Sequence, residues 1–343
     1  MIIIATIADV LELFEKLSPA EQEEIKLILA SPFVGSTTLE EFLTSERFAN
    51  GRVCPHCGSI HAVRNGHVKE KQRYLCRDCG RSFVISTNSI ISGSTKDLNT
   101  WEKYIECMIQ GLSLRKSAQI CNISKNTAFN WRHKVLDTLQ IMADSVELDG
   151  IVEADETFFS VSYKGNHSKS SFAMPRAAHH RGGEDTKRGL SSQKVCVSCA
   201  VNRTGKSIAK ATNFGRVSKD DLKSAFDGRI DKSATLIADK MNAYVKFAED
   251  NGLELVQIKG GKTVKGIYHI QHINNYHSQL KGFLYPFKGV STKYLNNYLV
   301  WHNFVNYAKK TDIEKLKILL AFVLVAQKKE TISEISKRNS VPF

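Results

Sequence analysis

The second half of the chain alternates between two kinds of hydrophobic pattern. Short runs rich in β-branched residues predict strands, and stretches with apolar residues every three or four positions predict helices. The predicted strands are Ile151–Phe159, Val195–Val201, Ser207–Phe214, Thr235–Asp239 and Leu253–Lys259, and the predicted helices are Lys219–Phe226, Met241–Glu249, Ile273–Leu284 and Thr292–Tyr307. Thr204-Gly205 predicts a hairpin turn between the second and third strands. Three antiparallel strands followed by alternating helices and strands predict a mixed α/β domain over residues 148–310.

Residues 97–145 have a helical pattern that contains a helix-turn-helix. Leu114–Ile120 is its predicted first helix and Cys121–Ile123 its short turn, after which Ser124 caps a second helix. A generic helical hairpin would give the same pattern. The basic segment that precedes it favours a DNA-binding motif.

The second helix of this motif has two different faces. Ala128, Trp131 and Val135 share one face and are expected to pack inward. The polar positions are expected to stay outside, where a recognition helix meets bases and phosphates. These predicted DNA-binding residues are Lys125, Asn126, Asn130 and Arg132.

The ends of the chain and one internal segment have weaker patterns. Residues 1–49 are predicted as a helical N-terminal segment, with two short amphipathic helices within residues 8–30. Residues 311–343 are predicted as one apolar helix, Ile313–Gln327, and a polar tail. Residues 162–191 are polar, basic and without periodicity, which predicts a flexible loop that orders on DNA.

Charge is distributed unevenly over the 343 residues. The net charge is +13, but residues 1–50 alone carry −6, so the remainder carries +19. A basic body favours a polyanionic partner, most simply nucleic acid. No apolar run approaches the roughly 20 residues that cross a bilayer, so no membrane partner is expected. Eight cysteines without a secretory signal indicate a reducing cytoplasm.

Two C-x-x-C pairs, eighteen residues apart, lie in a basic segment over residues 50–90. Each pair forms a tight knuckle, and two knuckles complete a tetrahedral four-thiolate zinc site. Gly58 and Gly80 stand where each knuckle turn needs a residue without a Cβ, which favours zinc over four ordinary buried cysteines. A closed site of this kind is structural, so the segment is predicted to be a zinc ribbon. Its predicted ligands are Cys54, Cys57, Cys76 and Cys79.

Other residues that could bind metals have simpler interpretations. Four thiolates already satisfy zinc, so the neighbouring His56, His61 and His67 are interpreted as surface residues. Cys196 and Cys199 form another C-x-x-C, but they lie in an apolar strand. Alternation puts these two thiols on opposite faces, so core packing is expected.

Two aspartates are candidates for a second metal site. Asp155 lies inside the first predicted strand, where a carboxylate is costly to desolvate unless it has a cation or hydrogen-bond partners. Asp239 ends the fourth strand, at the edge where ligands gather in α/β sheets. Either aspartate alone could be a helix cap or a surface ion pair. Two carboxylates from neighbouring strands can hold hard divalent cations, and Mg²⁺ prefers such oxygen ligands.

A third element is the helix predicted from Ile273. Asn274 and Lys281 are seven residues apart, so two turns place them on one face. Lys281 can then contact a phosphate while Asn274 faces the metals. His277, one turn after Asn274, is an alternative ligand for the same position.

With these residues in place, the chain resembles the bacterial insertion-sequence transposases of the DDE superfamily, in the group with an N-terminal zinc ribbon and asparagine in the third catalytic position. The resemblance covers roughly residues 10–308 and includes the zinc ribbon. It rests further on Glu153-Ala-Asp155-Glu156-Thr157, Asp239, Asn274–Lys281 and Tyr294–Phe304. It implies a ribonuclease H-like fold for the mixed-sheet domain, and a multidomain α/β protein as a whole.

The resemblance also implies a reaction, two-metal phosphoryl transfer with two Mg²⁺ or Mn²⁺ ions. Asp155 would bridge both ions, and Asp239 and Asn274 would each complete one site. Asparagine brings no charge, so the second ion should be held more weakly than by the glutamate of most superfamily members. Glu153 or Glu156 could support the metal ligands, and the family motif favours Glu156.

The implied function is a DNA transposase that binds the terminal inverted repeats of its element and cuts and joins DNA. Its implied partners are double-stranded DNA, as element ends and target, and further copies of the chain, since two ends must be brought together. The implied location is the bacterial cytoplasm, at the nucleoid. Two alternatives remain open: a sequence-specific DNA-binding regulator with an inactive domain, and a nuclease of the same fold.

Overall fold

The structure, a computed structural model, describes residues 18, 38–69, 71–165, 194–258, 264–307, 310–325 and 331–339. The helices expected within residues 8–30 fall outside these ranges except for Ser18, and the loop expected over 162–191 does so after Gly165. The chain divides into two compact units. One comprises residues 1–123 and 311–329, and the other comprises residues 124–310 and 330–343. No helix in the described ranges is long and apolar enough to cross a membrane.

The elements are numbered along the chain. The helices are α1 (Leu39–Arg47), α2 (Leu98–Ile109), α3 (Leu114–Ile120), α4 (Lys125–Asp144), α5 (Lys219–Phe226), α6 (Asn242–Asn251), α7 (Gln271–Leu284), α8 (Leu295–His302), α9 (Asp312–Val325) and α10 (Ile332–Ser336). The strands are β1 (Ala62–Val68), β2 (Lys71–Cys76), β3 (Ser82–Phe83), β4 (Ile151–Ser160), β5 (Lys194–Asn202), β6 (Ser207–Phe214), β7 (Thr235–Asp239), β8 (Glu254–Ile258), β9 (Val264–Lys265) and β10 (Tyr268–His269). Short 3₁₀ turns cover Tyr285–Phe287 and Thr292–Tyr294, and a π-helical turn covers Asn303–Tyr307.

The first unit contains a small antiparallel sheet in the order β1-β2-β3. Tyr74 on β2 is its buried centre, with ring centroids 4.9 Å from Phe48 and 5.5 Å from Phe83. Helix α1 begins with a capping box, in which Thr38 and Glu41 satisfy each other's backbone N–H groups. This aromatic packing gives a small ribbon a core of its own.

Helices complete the first unit. Asp97 caps α2 and Ser113 caps α3, each accepting a hydrogen bond from the backbone three residues on. Helix α2 buries Trp101 and Tyr104, and α9 packs against both α1 and α2. The apolar helix predicted over Ile313–Gln327 is therefore present as α9.

Both helices of the predicted helix-turn-helix are present. Helix α3 has its predicted bounds, and α4 begins after its predicted cap Ser124 and continues to Asp144. The boundary between the two units falls between Ile123 and Ser124, inside the region 97–145. Ala128, Trp131 and Val135 are buried, so the inward face of α4 is confirmed.

The expectation that Arg132 lies on the outer face of α4 is wrong. Its side chain is 1 % exposed, with the guanidinium carbon 4.9 Å from the centre of the Trp301 ring on α8. A planar, weakly hydrated guanidinium can be buried when an aromatic ring covers it. The sequence around α4 cannot show this, because α8 lies about 170 residues further along the chain.

The second unit is built on a five-stranded sheet in the order β6-β5-β4-β7-β8. Strand β4 pairs antiparallel with β5 and parallel with β7, and the outer pairs repeat these two directions. The predicted mixed α/β pattern is thus confirmed. Strands β6 and β7 and helix α5 have their predicted bounds because each is flanked by clear turn residues or a capping serine.

Alternate residues of β4 face opposite sides of this sheet. Val152 and Ala154 join the main core with Phe226, Tyr244 and Phe247 of α5 and α6. Glu153 and Asp155 face the other side, where α7 lies. Cys196 and Cys199 are both fully buried in β5, in agreement with the core role predicted for them.

Two predictions for the C-terminal part need correction. The helix predicted over Thr292–Tyr307 is broken into a 3₁₀ turn, α8 and a π-helical turn. The predicted polar tail contains α10, which a Thr331–Glu334 capping box begins. Ile335 of α10 is buried, and its carbonyl accepts a hydrogen bond of 3.1 Å from the Tyr294 hydroxyl.

Candidate active site and zinc centre

The four predicted zinc ligands lie together in the first unit. Their sulfur atoms are all within 4.8 Å of one another, with Cys54 to Cys79 at 3.7 Å and Cys57 to Cys76 at 3.6 Å. Four thiolates around one zinc ion at about 2.3 Å would have sulfur atoms about 3.8 Å apart, so the cluster fits zinc. Gly58 and Gly80 have φ values of 77° and 68°, as the knuckle turns require.

The histidines near this cluster are not among its ligands. His61 Nδ1 lies 3.2 Å from Asp78, which also accepts a 2.6 Å hydrogen bond from Ser59. His56 and His67 are exposed. This agrees with their interpretation as surface residues.

In the second unit, the sheet brings the two predicted catalytic aspartates close together on neighbouring strands, with Asp155 on β4 and Asp239 at the end of β7. Parallel pairing sets Ile151 opposite Thr235 and Glu153 opposite Ile237. Asp155 and Asp239 each lie two residues beyond the last of these pairs, and the charge of Asp239 raises the pKa of Asp155, so the two carboxylates are close. Neighbouring strands lie about 4.8 Å apart, so both carboxylates reach one small volume at the sheet edge.

The pKa values of both aspartates are raised. Burial, and secondarily the charge of Asp239, raises the pKa of Asp155 from 3.8 to about 6. Burial also raises the pKa of Asp239, although the nearby Arg216 opposes the shift. Both shifts mean that the ionised carboxylates lack a sufficient counter-charge in the protein itself.

Asp239 and His277 each have one buried polar atom with no hydrogen-bond partner within the described part of the chain. These atoms are Oδ1 of Asp239 and Nε2 of His277. An unpaired carboxylate oxygen away from water is costly. Oxygen-rich donors with raised pKa values and an unpaired oxygen fit a hard divalent cation.

Helix α7 carries the remaining predicted residues. His277 Nδ1 lies 3.9 Å from Asp155 Oδ2, and burial with the charge of Lys281 lowers the pKa of His277 to about 4. The Lys281 ammonium in turn lowers the pKa of Asp155, which places its charge near the carboxylate. Asn274 lies one turn before His277 and is exposed. The structure thus sets His277 beside Asp155, and the choice of Asn274 as third ligand stays a prediction.

Glu156 lies on the opposite face of β4 but near the same charges. The Tyr244 hydroxyl donates a 2.6 Å hydrogen bond to it. Burial, together with the charges of Asp155 and Asp239, raises the pKa of Glu156 to about 7. Its carboxyl group therefore adds to the acidic cluster that a cation would neutralise.

Glu153 has a different role, because it anchors the beginning of α7. Its side chain is 1 % exposed and accepts hydrogen bonds from the backbone N–H groups of His272 at 2.8 Å and Ile273 at 3.1 Å. A carboxylate at a helix N-terminus satisfies free N–H groups and the helix dipole. The strand that carries Asp155 is thus tied directly to the helix that carries His277 and Lys281.

Glu153, His269 and His272 are also close enough to hold a metal ion. Arg203 already occupies this cluster, 3.0 Å from Glu153 and 2.8 Å from His269 Nε2. A guanidinium supplies the counter-charge here, so we interpret the cluster as an ion-pair network. This distinguishes it from the Asp155–Asp239 edge, where burial leaves the charge uncompensated.

Arg216 and Tyr244 also belong to this site, although they were not predicted from the sequence. Arg216 follows the end of β6, a strand parallel to β4, so topology alone could have placed it at the same sheet edge. Tyr244 lies in α6, a helix whose sequence pattern predicts only ordinary packing against the core. No pattern along the chain marks its hydroxyl as a partner of Glu156.

Two protein-family models match this chain. The model of the ISXO2-like transposase domain matches residues 147–304, and that of the transposase zinc-ribbon domain matches residues 38–82. Together they cover more than half of the 343 residues. The chain belongs to the insertion-sequence transposases of the DDE superfamily. The resemblance stated from its motifs is confirmed, and the zinc-ribbon match with the four-cysteine cluster indicates a structural zinc ion.

Individual proteins add to these matches. The transposase is 28 % identical over 275 residues to the "Uncharacterized protein in transposable element ISH50" of Halobacterium salinarum, covering 78 % of this chain and 89 % of the relative. Similar solved structures include a pre-cleavage Mos1 transpososome, at 11 % identity and a TM-score of 0.22. The Mos1 strand transfer complex has 12 % identity and a TM-score of 0.27. Each alignment covers 94 % of this chain and 96 % of the other, but similarity this low carries no weight for the site.

Proposed function

We propose that this DNA transposase cuts and joins DNA strands by metal-dependent phosphoryl transfer at the Asp155–Asp239 edge of a ribonuclease H-like domain. The observation that carries the proposal is the pair of half-buried aspartates on neighbouring strands β4 and β7, with raised pKa values and an unpaired oxygen on Asp239. Such a pair is costly to the fold without a cation. A bound divalent ion would remove that cost.

Each residue of the site has a proposed task. Asp155 and Asp239 hold the divalent ions, and Lys281 binds the phosphate to be attacked. Asn274 or His277 supplies the third ligand, and His277 Nδ1 lies 3.9 Å from Asp155 Oδ2. When bound, two ions would activate the attacking hydroxyl and neutralise charge on the leaving oxygen. No covalent enzyme intermediate is needed, because positioning and charge carry this kind of reaction.

DNA recognition is proposed for the region before the catalytic domain. Lys125 and Asn126 are exposed in the first turn of α4, and Asn130 is half-buried one turn on. A helix N-terminus with these side chains suits a major groove or a phosphate backbone. We propose that this helix and the basic zinc ribbon bind the element's terminal repeats. Joining two ends further requires at least two copies of the chain on the DNA.

The test uses duplex DNA that contains the element's end, with Mg²⁺ or Mn²⁺. The wild-type protein should nick the end and join it to a second duplex. Asp155→Ala and Asp239→Ala should each lower the cleavage rate by at least about 10³-fold while DNA affinity is retained. Asp220→Ala, an exposed aspartate on α5, is the matched control and should leave the rate unchanged.

The same assay separates the alternatives. Cleavage without joining would make the protein a nuclease, and specific binding without cleavage would make it a regulator. Asn274→Ala and His277→Ala then identify the third ligand, since the variant of the true ligand should need more metal to reach the same rate. Undiminished cleavage by both aspartate variants would reject the assigned site.

A further inference from the structure

A cavity of about 390 Å³ opens directly beside Lys281 in the second unit. It lies between the end of β4, the last turns of α7 and the segment that leads to α8. Its lining is mostly apolar, with two lysines at the rim. The residues that matter here are Phe159, Leu284, Tyr285, Leu295, Lys281 and Lys288.

The walls of this cavity are held in place by hydrogen bonds. Lys164 Nζ donates to the carbonyl oxygens of Phe287 and Gly289, each at 2.9 Å, which fixes the segment after α7. Ser162 and Thr292 are tied twice, by Ser162 N to Thr292 Oγ1 at 2.9 Å and Thr292 N to Ser162 O at 2.8 Å. The cavity is therefore preformed, so a ligand would not have to order it.

Tyr285 stands at the mouth of the cavity with 72 % of its surface exposed. The Lys288 ammonium lies 3.8 Å from the centre of its ring. An exposed aromatic ring beside apolar walls and cationic groups combines a stacking surface with attraction for an anion. These are the two components with which proteins hold unpaired nucleotides.

We propose that this cavity receives one unstacked nucleobase of the DNA strand next to the phosphate that is cut. The inference rests on the proposed function, because Lys281 both lines the cavity and is the proposed phosphate contact. The base of a nucleotide adjacent to that phosphate lies within one nucleotide length of it, so this base is close enough to enter the cavity. The volume falls within the range of about 300–1,000 Å³ typical of small-ligand sites and exceeds what one base requires.

The proposed ligand is a base of any of the four kinds. Every base offers a flat π-face to Tyr285, and the apolar walls make few hydrogen bonds that would select among them. Lys288 supplies charge for the backbone phosphate of the same nucleotide. Taking the base out of the stack would expose the strand for attack and hold it against Lys281.

The test is a double-mutant cycle between Tyr285 and the DNA. Binding of element-end duplexes is measured in Ca²⁺, with an abasic site placed in turn at each position flanking the cleavage site. On intact DNA, Tyr285→Ala should weaken binding about 10-fold, and Tyr285→Phe should bind like the wild type. At one abasic position, the wild type and Tyr285→Ala should bind equally, because the base that Tyr285 holds is absent.

Controls make the outcome decisive. Ile267→Ala removes another exposed apolar side chain, 67 % exposed in the same unit, and should bind all duplexes like the wild type. Thermal melting should show that the Tyr285 variants fold. An equal loss for Tyr285→Ala at every position, or no loss at all, would overturn the proposal. DNA binding in Ca²⁺ does not require catalysis. Such a result together with normal Mg²⁺-dependent cleavage would therefore leave the proposed function intact. Conversely, undiminished cleavage by the Asp155 and Asp239 variants would refute only the proposed function.

Discussion

Asp155 is held in a strand with only 27 % of its side chain exposed. The sequence shows such a residue directly, because a carboxylate between apolar neighbours breaks the pattern of a buried strand. What the sequence could not show is how far its charge is compensated. In the structure, burial and the charge of Asp239 raise its pKa, and the charge of Lys281 lowers it.

This environment predicts a pH-dependent effect on stability. The folded-state pKa of Asp155 is raised from 3.8 to about 6, so its contribution to stability is complete below pH 3.8 and is lost as the pH rises from there to about 6. Asp155→Asn removes the buried charge. In buffer without Mg²⁺, we therefore expect the free energy of unfolding of Asp155→Asn to exceed that of the wild type by about 1.4 kcal/mol more at pH 8 than at pH 5. Urea unfolding at both pH values measures this.

Added Mg²⁺ should narrow the difference at pH 8, because the ion replaces the missing counter-charge in the wild type. Asp220→Asn is the control, and it should show no pH-dependent difference from the wild type. If Asp155→Asn and the wild type differed in free energy of unfolding by the same amount at pH 5 and pH 8, the raised pKa assigned to Asp155 would be wrong.

Arg132 illustrates where helical periodicity is insufficient. Helical periodicity correctly predicts that Ala128 and Val135 face inward on α4. It does not predict that Trp301, from a distant helix, covers Arg132. We expect Arg132→Ala to lower the free energy of unfolding by more than about 2 kcal/mol, through lost cation–π contact and packing.

Lys125→Ala is the matched comparison, since Lys125 is exposed on the same helix. Lys125→Ala should leave the free energy of unfolding unchanged. It should reduce the slope of log K for DNA binding against log salt concentration by about one, since about one fewer counterion is released. Thermal melts and filter-binding titrations over a salt series measure both effects. An unchanged melting temperature for Arg132→Ala would show that the buried position assigned to it is wrong.

At the scale of elements, the link between β4 and α7 organises the site. Glu153 accepts two backbone hydrogen bonds at the start of α7 and pairs with Arg203. The sequence shows an acidic strand motif but not which of its glutamates meets a helix almost 120 residues later. That pairing depends on strand order and helix direction, neither of which is encoded locally.

We expect Glu153→Ala to destabilise the protein by about 2–4 kcal/mol, because it leaves the backbone N–H groups at the start of α7 without an acceptor and Arg203 without its carboxylate. Strand cleavage should slow as the helix with His277 and Lys281 loses its anchor, and Glu153→Gln should restore part of both properties. Melting temperatures and single-turnover cleavage rates measure this. Glu254→Gln, an exposed carboxylate on β8, is the control. Normal cleavage by Glu153→Ala at full folding would contradict the anchoring role.

The zinc ribbon is the element that sequence spacing predicted best, because cysteine spacing and knuckle glycines are local features. We expect one zinc ion per chain by atomic emission and its loss in Cys57→Ser, with weaker DNA binding. Cys196→Ala alters the other C-x-x-C and should keep one zinc. If Cys57→Ser still bound one zinc ion per chain, the four-thiolate site would be wrong.

At the scale of the whole molecule, local patterns predicted the strands of the mixed sheet, the ribbon and the order of the segments. They did not predict the boundary between Ile123 and Ser124, the helix in the tail or the cavity beside Lys281. Each of these depends on residues far apart in the chain that pack together. Family membership follows from the motifs, whereas the position of the third metal ligand requires the metal-bound geometry.

The most direct measurement is anomalous scattering from crystals of the transposase grown with Mn²⁺. We predict a manganese peak at the edge shared by β4 and β7, about 2.1 Å from a carboxylate oxygen of both Asp155 and Asp239. A peak at Glu153, His269 and His272 instead, or none near the two aspartates at saturating Mn²⁺, would contradict this prediction.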